Sequence, residues 1–110
     1  MNKQPLVSII IVNYNGKKFI RECLNSLFQI NYPKKRLEVI IVDNASTDGS
    51  VNLIKSKYKK AKVIENKVNN YCKACNIGIA HALGDYIVLL NNDVRVRKQW
   101  LLELVKIMES

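Results

Sequence analysis

Glycine is scarce in this 110-residue chain: Gly16, Gly49, Gly78 and Gly84 are its four glycines, and their spacing forms neither GxGxxG nor GxxxxGK[ST]. That excludes a dinucleotide-binding turn and a P-loop, so any phosphate must be held another way. Cysteine is also scarce, and the three present (Cys23, Cys72 and Cys75) are odd in number, so no disulfide framework is expected. Cys72 and Cys75 form a CxxC, but the single histidine, His81, supplies no second ligand pair for zinc. A small, core-facing role is the expectation for these cysteines. Long apolar runs are missing too: the longest are Leu6–Val12, broken by Ser8, and Tyr86–Leu90. Neither approaches the ~18–20 residues of a membrane-spanning helix. Met1–Pro5 is too short and polar for a signal peptide, and a cytoplasmic protein is expected.

Acidic residues are few, nine against 18 Lys and Arg, for a net charge of +9. Basic residues gather at Lys34–Arg36 and at Lys55, Lys57, Lys59, Lys60 and Lys62. Such a surface suits phosphates, nucleic acid or an anionic membrane, although each residue taken singly reads as a solvated helix face or turn. Nucleic acid is the weakest of these partners, because no recognition motif and no aromatic stacking platform accompanies the charge. The apolar share of 48% and charged share of 25% are those of an ordinary globular domain.

The apolar pattern alternates between strand and helix. Leu6–Val12, Leu37–Val42 and Asp85–Leu90 are runs rich in Val, Ile and Leu, as buried parallel strands require, and Lys62–Glu65 is a shorter strand near an edge. Between them, Phe19, Ile20, Cys23, Leu24, Leu27 and Phe28 mark one stripe of a helix over Lys17–Ile30. Val51, Ile54 and Tyr58 mark a second helix to about Lys59, after a polar loop, Asp43–Gly49, that offers N-caps. Tyr71–Leu83 reads as a third, stopped by Gly84, and Trp100, Leu101, Leu104, Val105 and Met108 mark a fourth. This order predicts an α/β fold, a mainly parallel sheet with helices on both faces.

Ligands of such sheets bind beyond the carboxyl ends of the strands. Here those ends carry Asn13-Tyr14-Asn15, Asp43-Asn44 and Asn91-Asn92-Asp93. If the first strand is flanked by the second and fourth, Asp43 and Asp93 lie two spacings of about 4.8 Å apart across the crevice. That is about the span from a nucleobase to its diphosphate. An Asp at one end can accept the imide N–H of uracil or thymine, and an Asp at the other can hold a divalent metal on the phosphates. Each Asp taken alone reads more readily as a loop or cap residue than as a ligand-binding one.

The combination of blocks is more specific. Val7–Gly16, Glu38–Ser50, Ala74–Ile79 and Gly84–Asp93 follow one another across nearly the whole chain. They resemble the blocks of family 2 glycosyltransferases with the GT-A fold, the last block ending in that family's DxD-type metal motif. The wording Val42-Asp43-Asn44-Ala45-Ser46 and Leu90-Asn91-Asn92-Asp93 most resembles the rhamnosyltransferase-like branch. The resemblance implies a Rossmann-like, nucleotide-binding half of a GT-A domain. It implies that Asn13, Tyr14 and Asn15 line the nucleoside pocket, through backbone contacts at least, and that Asp43 binds the base. The segment Asn70–Asn76 would close over nucleotide and sugar. Asp93 would hold Mg2+ or Mn2+, and Asn92 would face the ribose or phosphate. The donor would be a UDP-sugar or dTDP-sugar, and the acceptor a saccharide or a lipid-linked one.

The chain departs from the family pattern in two places. Its DxD is Asn91-Asn92-Asp93, with the last carboxylate alone retained, so metal affinity without nucleotide should be poor. Asn70 stands where the family often has glycine, and asparagine tolerates a left-handed turn. Residues 1–110 are expected to be a single truncated domain, the acceptor half being absent. The general base of an inverting enzyme would then lie beyond residue 110, since Glu103 and Glu109 read as surface residues of the last helix. Such a chain would bind nucleotide weakly and transfer no sugar alone. It would form a homo-oligomer through an exposed flank of the sheet. Peripheral association with the inner face of the membrane would suit its basic helices and a lipid-linked acceptor. The competing expectation is a non-catalytic α/β nucleotide-binding or interaction module, in which Asp43 and Asp93 are dispensable for ligand binding.

Overall fold

Strands form where the sequence is continuously apolar and stop where Asn and Asp begin. In the computed structural model, which describes residues 4–110, β1 is Val7–Asn13, β2 Leu37–Asn44, β3 Lys62–Asn66 and β4 Tyr86–Asn91. All pair in parallel in the order β3-β2-β1-β4. β1 is thus central, flanked by β2 and β4, which meets the condition set above for the spacing of Asp43 and Asp93, and Lys62–Asn66 is an edge strand. The register sets Asn13 beside Asp43 and Val12 beside Asn91, bringing the three polar strand ends to one rim.

The connecting helices are α1 (Lys17–Leu27), α2 (Ser50–Lys57), α3 (Tyr71–His81) and α4 (Trp100–Glu109). Because strand side chains alternate, β1 serves two cores. Val7, Ile9 and Ile11 pack with Ile20, Leu24 and Leu27 of α1, Ile54 of α2, and Leu101 and Val105 of α4. Ile10 packs with Ile40, Val42 and Ala74 of α3 in a smaller cluster on the opposite face. Helices therefore cover both faces, but unequally. Val88 and Leu90 of β4 join the larger core, whereas Ile87 and Leu89 are exposed.

Three helix ends fall short of their expected positions. α1 stops at Leu27 rather than Ile30, because Gln29 N–H and Ile30 N–H bond to the carbonyls of Ser26 and Leu27, tightening the last turn. α2 stops at Lys57, where Tyr58 leaves the helical conformation (φ −122°, ψ 67°) and its ring stacks on Phe28, with centroids 6.1 Å apart. α3 stops at His81, and the agent is not a left-handed Gly84. Ala82 is already extended, the Leu83 N–H donates to Glu38 Oε1 at 2.9 Å, and the Gly84 N–H donates to Ser8 Oγ at 2.9 Å. Glycine is needed at 84 for close approach, since a Cβ there would lie 2.6 Å from the Ser8 backbone nitrogen.

The cysteines also divide. Cys23 and Cys75 are buried as expected, but Cys72 is exposed on the first turn of α3, so the core-facing reading fails for that residue. It falls on the outer side of the helix, whereas Ala74, Cys75 and Gly78 are the residues α3 buries.

Candidate functional site

The rim of the sheet is built around loop 45–49, held by hydrogen bonds from the neighbouring strand end. Asp43 Oδ1 accepts from Asn13 Nδ2 at 2.9 Å and from Ser46 Oγ at 2.8 Å, and its Oδ2 accepts from the Ser46 N–H at 2.9 Å. Asn15, at φ 48°, accepts from the Thr47 N–H and donates its own N–H to Ser46 Oγ, both at 2.8 Å. Asp48 receives the Lys17 N–H at 2.9 Å and the Ser50 N–H at 3.0 Å, so one carboxylate serves the first turns of both α1 and α2. These helix-end N–H groups would otherwise lack partners.

A cleft of about 320 Å³ opens on this rim, lined by Val12, Tyr14, Asn44, Asn69, Tyr71, Asn91, Asn92 and Asp93. Of the expected site residues, it brings together Tyr14, Asn92 and Asp93. Asn13 and Asp43 are 0% and 2% exposed and sit behind the cleft. Asn15 faces a neighbouring cavity of about 790 Å³ shared with Lys17, Lys18 and Arg21. Asn76 is exposed on α3 away from the cleft lining. Asn70 is the N-cap of α3, where its side chain accepts from the Lys73 N–H at 3.0 Å. Its φ of −138° is extended, so capping rather than left-handed tolerance accounts for asparagine there. Sequence reasoning did not single out Asn44, Asn69 and Asn91 as lining residues. Their signal was the density of asparagine at strand ends and just before α3. Another cavity of about 320 Å³, between the C-terminal ends of α1 and α2, lies at the far end of the sheet and holds none of these residues.

Burial, followed by the nearby Asp93 carboxylate, pushes the Cys23 thiol up to about 11, against a smaller opposing effect of the Val94 backbone. Cys23 is therefore a neutral thiol packed beneath the cleft, with its Sγ 3.7 Å from the Asn91 carbonyl, and is no nucleophile. The neighbouring Cys75, followed by burial, holds the Tyr71 phenol at the cleft wall above its ordinary value.

Among the described residues no three His, Cys, Asp or Glu side chains cluster for a metal. The cleft offers one carboxylate, Asp93, among asparagine amides. This all-oxygen set fits a hard cation such as Mg2+ or Mn2+, which commonly takes one or two carboxylates and completes its shell with phosphate and water. It does not fit a structural zinc site.

A parallel sheet with helices on both faces and a polar cleft at the carboxyl ends of its strands defines an open α/β domain whose ligand site lies at those ends. Residues 8–110 match the family described as Glycosyl transferase family 2, and the chain belongs to that family. Glycosyltransferase AglE of Haloferax volcanii is 35% identical over 101 residues, which are 88% of this chain and 33% of that protein. A poly(ribitol-phosphate) beta-glucosyltransferase of Bacillus spizizenii is 38% identical over 101 residues, 87% of this chain and 16% of that one. Among solved structures, S. aureus TarS 1-349 in complex with UDP-GlcNAc superposes with a TM-score of 0.85 at 29% identity, over 94% of this chain and 31% of that one. The mannosyltransferase PcManGT from Pyrobaculum calidifontis, in complex with GDP-Man and Mn2+, gives 0.89 at 28% identity, over 98% and 33%. The chain thus spans about a third or less of the length of these proteins. The GT-A fold expected from sequence is the fold observed. No helix among the described residues is long and apolar enough to cross a membrane.

Proposed function

We propose that this domain binds the nucleoside diphosphate of a sugar donor at the strand ends, and that the protein containing it transfers the sugar to an acceptor. The observation that carries this reading is the cleft joining Asp93 and Asn92 to Tyr14 and Tyr71 on the rim of β1, β2 and β4. Relatives in complex with UDP-GlcNAc, and with GDP-Man and Mn2+, support it.

In this reading Asp93 and the diphosphate oxygens hold Mg2+ or Mn2+ together. When bound, the ion neutralises the charge of the departing diphosphate. Asp43 Oδ2 accepts a single hydrogen bond from Ser46 and keeps a second lone pair for a base N–H. Tyr14 and Tyr71 offer ring faces and hydroxyls to the nucleoside, and Asn92 an amide to the ribose or phosphate. Asn15 orders the loop beside the base, and Asn70 and Asn76 belong to the segment closing over nucleotide and sugar. The general base of inverting transfer belongs to chain outside these residues, so the 110 residues alone bind weakly and leave the sugar untransferred. A saccharide or lipid-linked acceptor, a cytoplasmic setting and contact with the membrane's inner face all belong to this proposal.

Calorimetric titration of UDP, dTDP and GDP, with and without Mn2+, tests it. Binding that needs Mn2+ and vanishes in Asp93→Ala is the expected result and identifies the base. Binding unchanged in both Asp43→Ala and Asp93→Ala would favour a non-catalytic module instead.

A further inference from the structure

We infer that Asn13 is a positioning residue that sets the base-side Asp43 and the metal-side Asn92 together, through one amide lying wholly beneath the cleft. The inference rests on the donor-site reading above. Asn13 is buried and both ends of its side-chain amide are bonded within the protein, so that side chain has no group left to offer a nucleoside. Instead it bridges three elements. Its Nδ2 donates to Asp43 Oδ1 on β2 and to Ser50 Oγ at the start of α2, both at 2.9 Å. Its Oδ1 accepts from Asn92 Nδ2, just past β4, at 3.1 Å.

The orientation of this amide follows from chemistry. Asp43 accepts from the Ser46 N–H and Oγ as well, so the NH2 end of Asn13 is the end that faces it. The carbonyl end is then left for Asn92, whose NH2 must point inward and whose own oxygen stays as an acceptor. Reversing Asn13 would set oxygen against the Asp43 carboxylate and NH2 against the NH2 of Asn92. Gly16 corroborates the arrangement: a Cβ there would overlap Asn92 Nδ2 and Asn13 Oδ1 and lie 3.3 Å from Asn92 Cγ. The chain keeps a glycine where the bridge passes. The base side and the metal side therefore do not vary independently.

Two probes separate the two ends of the site. UMP without metal reports the base and ribose, and UDP with Mn2+ adds the diphosphate and metal; GMP and GDP replace them if the chain prefers guanine. Binding and melting temperature are measured for the wild type, Asn13→Ala, Asn92→Asp and the double variant. Asn92→Asp adds a carboxylate next to Asp93 but sets an acceptor against Asn13 Oδ1. Asn13→Ala is expected to weaken both probes, UDP with Mn2+ by about tenfold, whereas Asp93→Ala weakens only the metal-dependent part. Asn92→Asp is expected to weaken binding severalfold in the wild type and to have no further effect in Asn13→Ala. Losses that add, or a lower melting temperature with unchanged affinity in the folded protein, overturn the inference. If Asn13→Ala does not fold, Asn92→Asp decides alone: undiminished UMP binding overturns it, and weakened UMP binding supports it. Failure of the wild type to bind any of the four nucleotides is a different result, which removes the donor-site reading and this inference with it.

Discussion

Asn92 donates its side-chain N–H to Asn13 across Gly16, at 3.1 Å, in a space a methyl group would fill. Gly16→Ala should therefore act through both asparagines. The backbone at Gly16 has φ −97°, which alanine adopts freely, so the effect is steric rather than conformational. Overpacking of this kind costs about 1–3 kcal/mol. Thermal unfolding of Gly16→Ala should show that loss, and nucleotide binding should fall with it. An unaltered melting temperature would mean that the two side chains move aside at no cost.

The sheet was legible in the sequence because its strands are long apolar runs with polar ends; that β1 is central was a supposition, which the observed strand order bears out. Helix ends were less legible. Those of α1 and α3 are decided by partners remote in sequence or by tightening of the last turn, as with Glu38 and Ser8 capturing the N–H groups of Leu83 and Gly84. At the candidate site, the sequence picked out residues that share one rim but not how deep each of them lies. Asp43 and Asn92 are both polar residues following apolar runs, yet one is 2% exposed and the other lines the cleft. The difference comes from loop 45–49, which folds back so that the Ser46 N–H and Oγ bond to the Asp43 carboxylate. Nothing local to Asp43 announces that fold-back.

At the opposite end of the sheet, Glu38 accepts from Ser8 Oγ, the Leu83 N–H and Lys62 Nζ. Burial pushes its carboxyl up, but those hydrogen bonds and the Lys62 charge outweigh burial and hold it below its ordinary value of 4.5. A folded value below the unfolded one stabilises the protein above the unfolded value, and the stabilisation is lost as pH falls through the folded value. Glu38→Gln should cost about 1–3 kcal/mol near neutral pH. Its deficit should narrow as the pH falls below 4.5, while Asp48, shifted in the same direction, keeps part of the acid sensitivity in both proteins. Urea unfolding at neutral and acid pH measures this. A deficit that stays constant with pH would contradict the assignment.

Asn70 holds the first turn of α3 through its bond from the Lys73 N–H. Asn70→Ala should destabilise the fold by about 1 kcal/mol, Asn70→Asp should preserve stability, and Asn70→Gly should lose only a few tenths. A left-handed requirement at this position would instead make glycine the best of the three. Denaturant midpoints for the three variants distinguish the two cases.

The two edges of the sheet differ in how they would meet another chain. β3 carries Lys62 and Glu65 at its edge, and such charges oppose pairing. β4 has no such guard on the α3 face. Ile87 and Leu89 are 41% and 49% exposed there, because α3 packs over β1 and β2. An exposed apolar edge strand is a template for pairing, so the 110-residue chain should self-associate through β4. Light scattering over a concentration series should show an average mass rising above 12.6 kDa. Leu89→Lys should return it to the monomer without loss of helix content, because the side chain points away from the larger core that Val88 and Leu90 enter. A wild type that stays monomeric at every concentration would show that this edge is adequately protected as it stands.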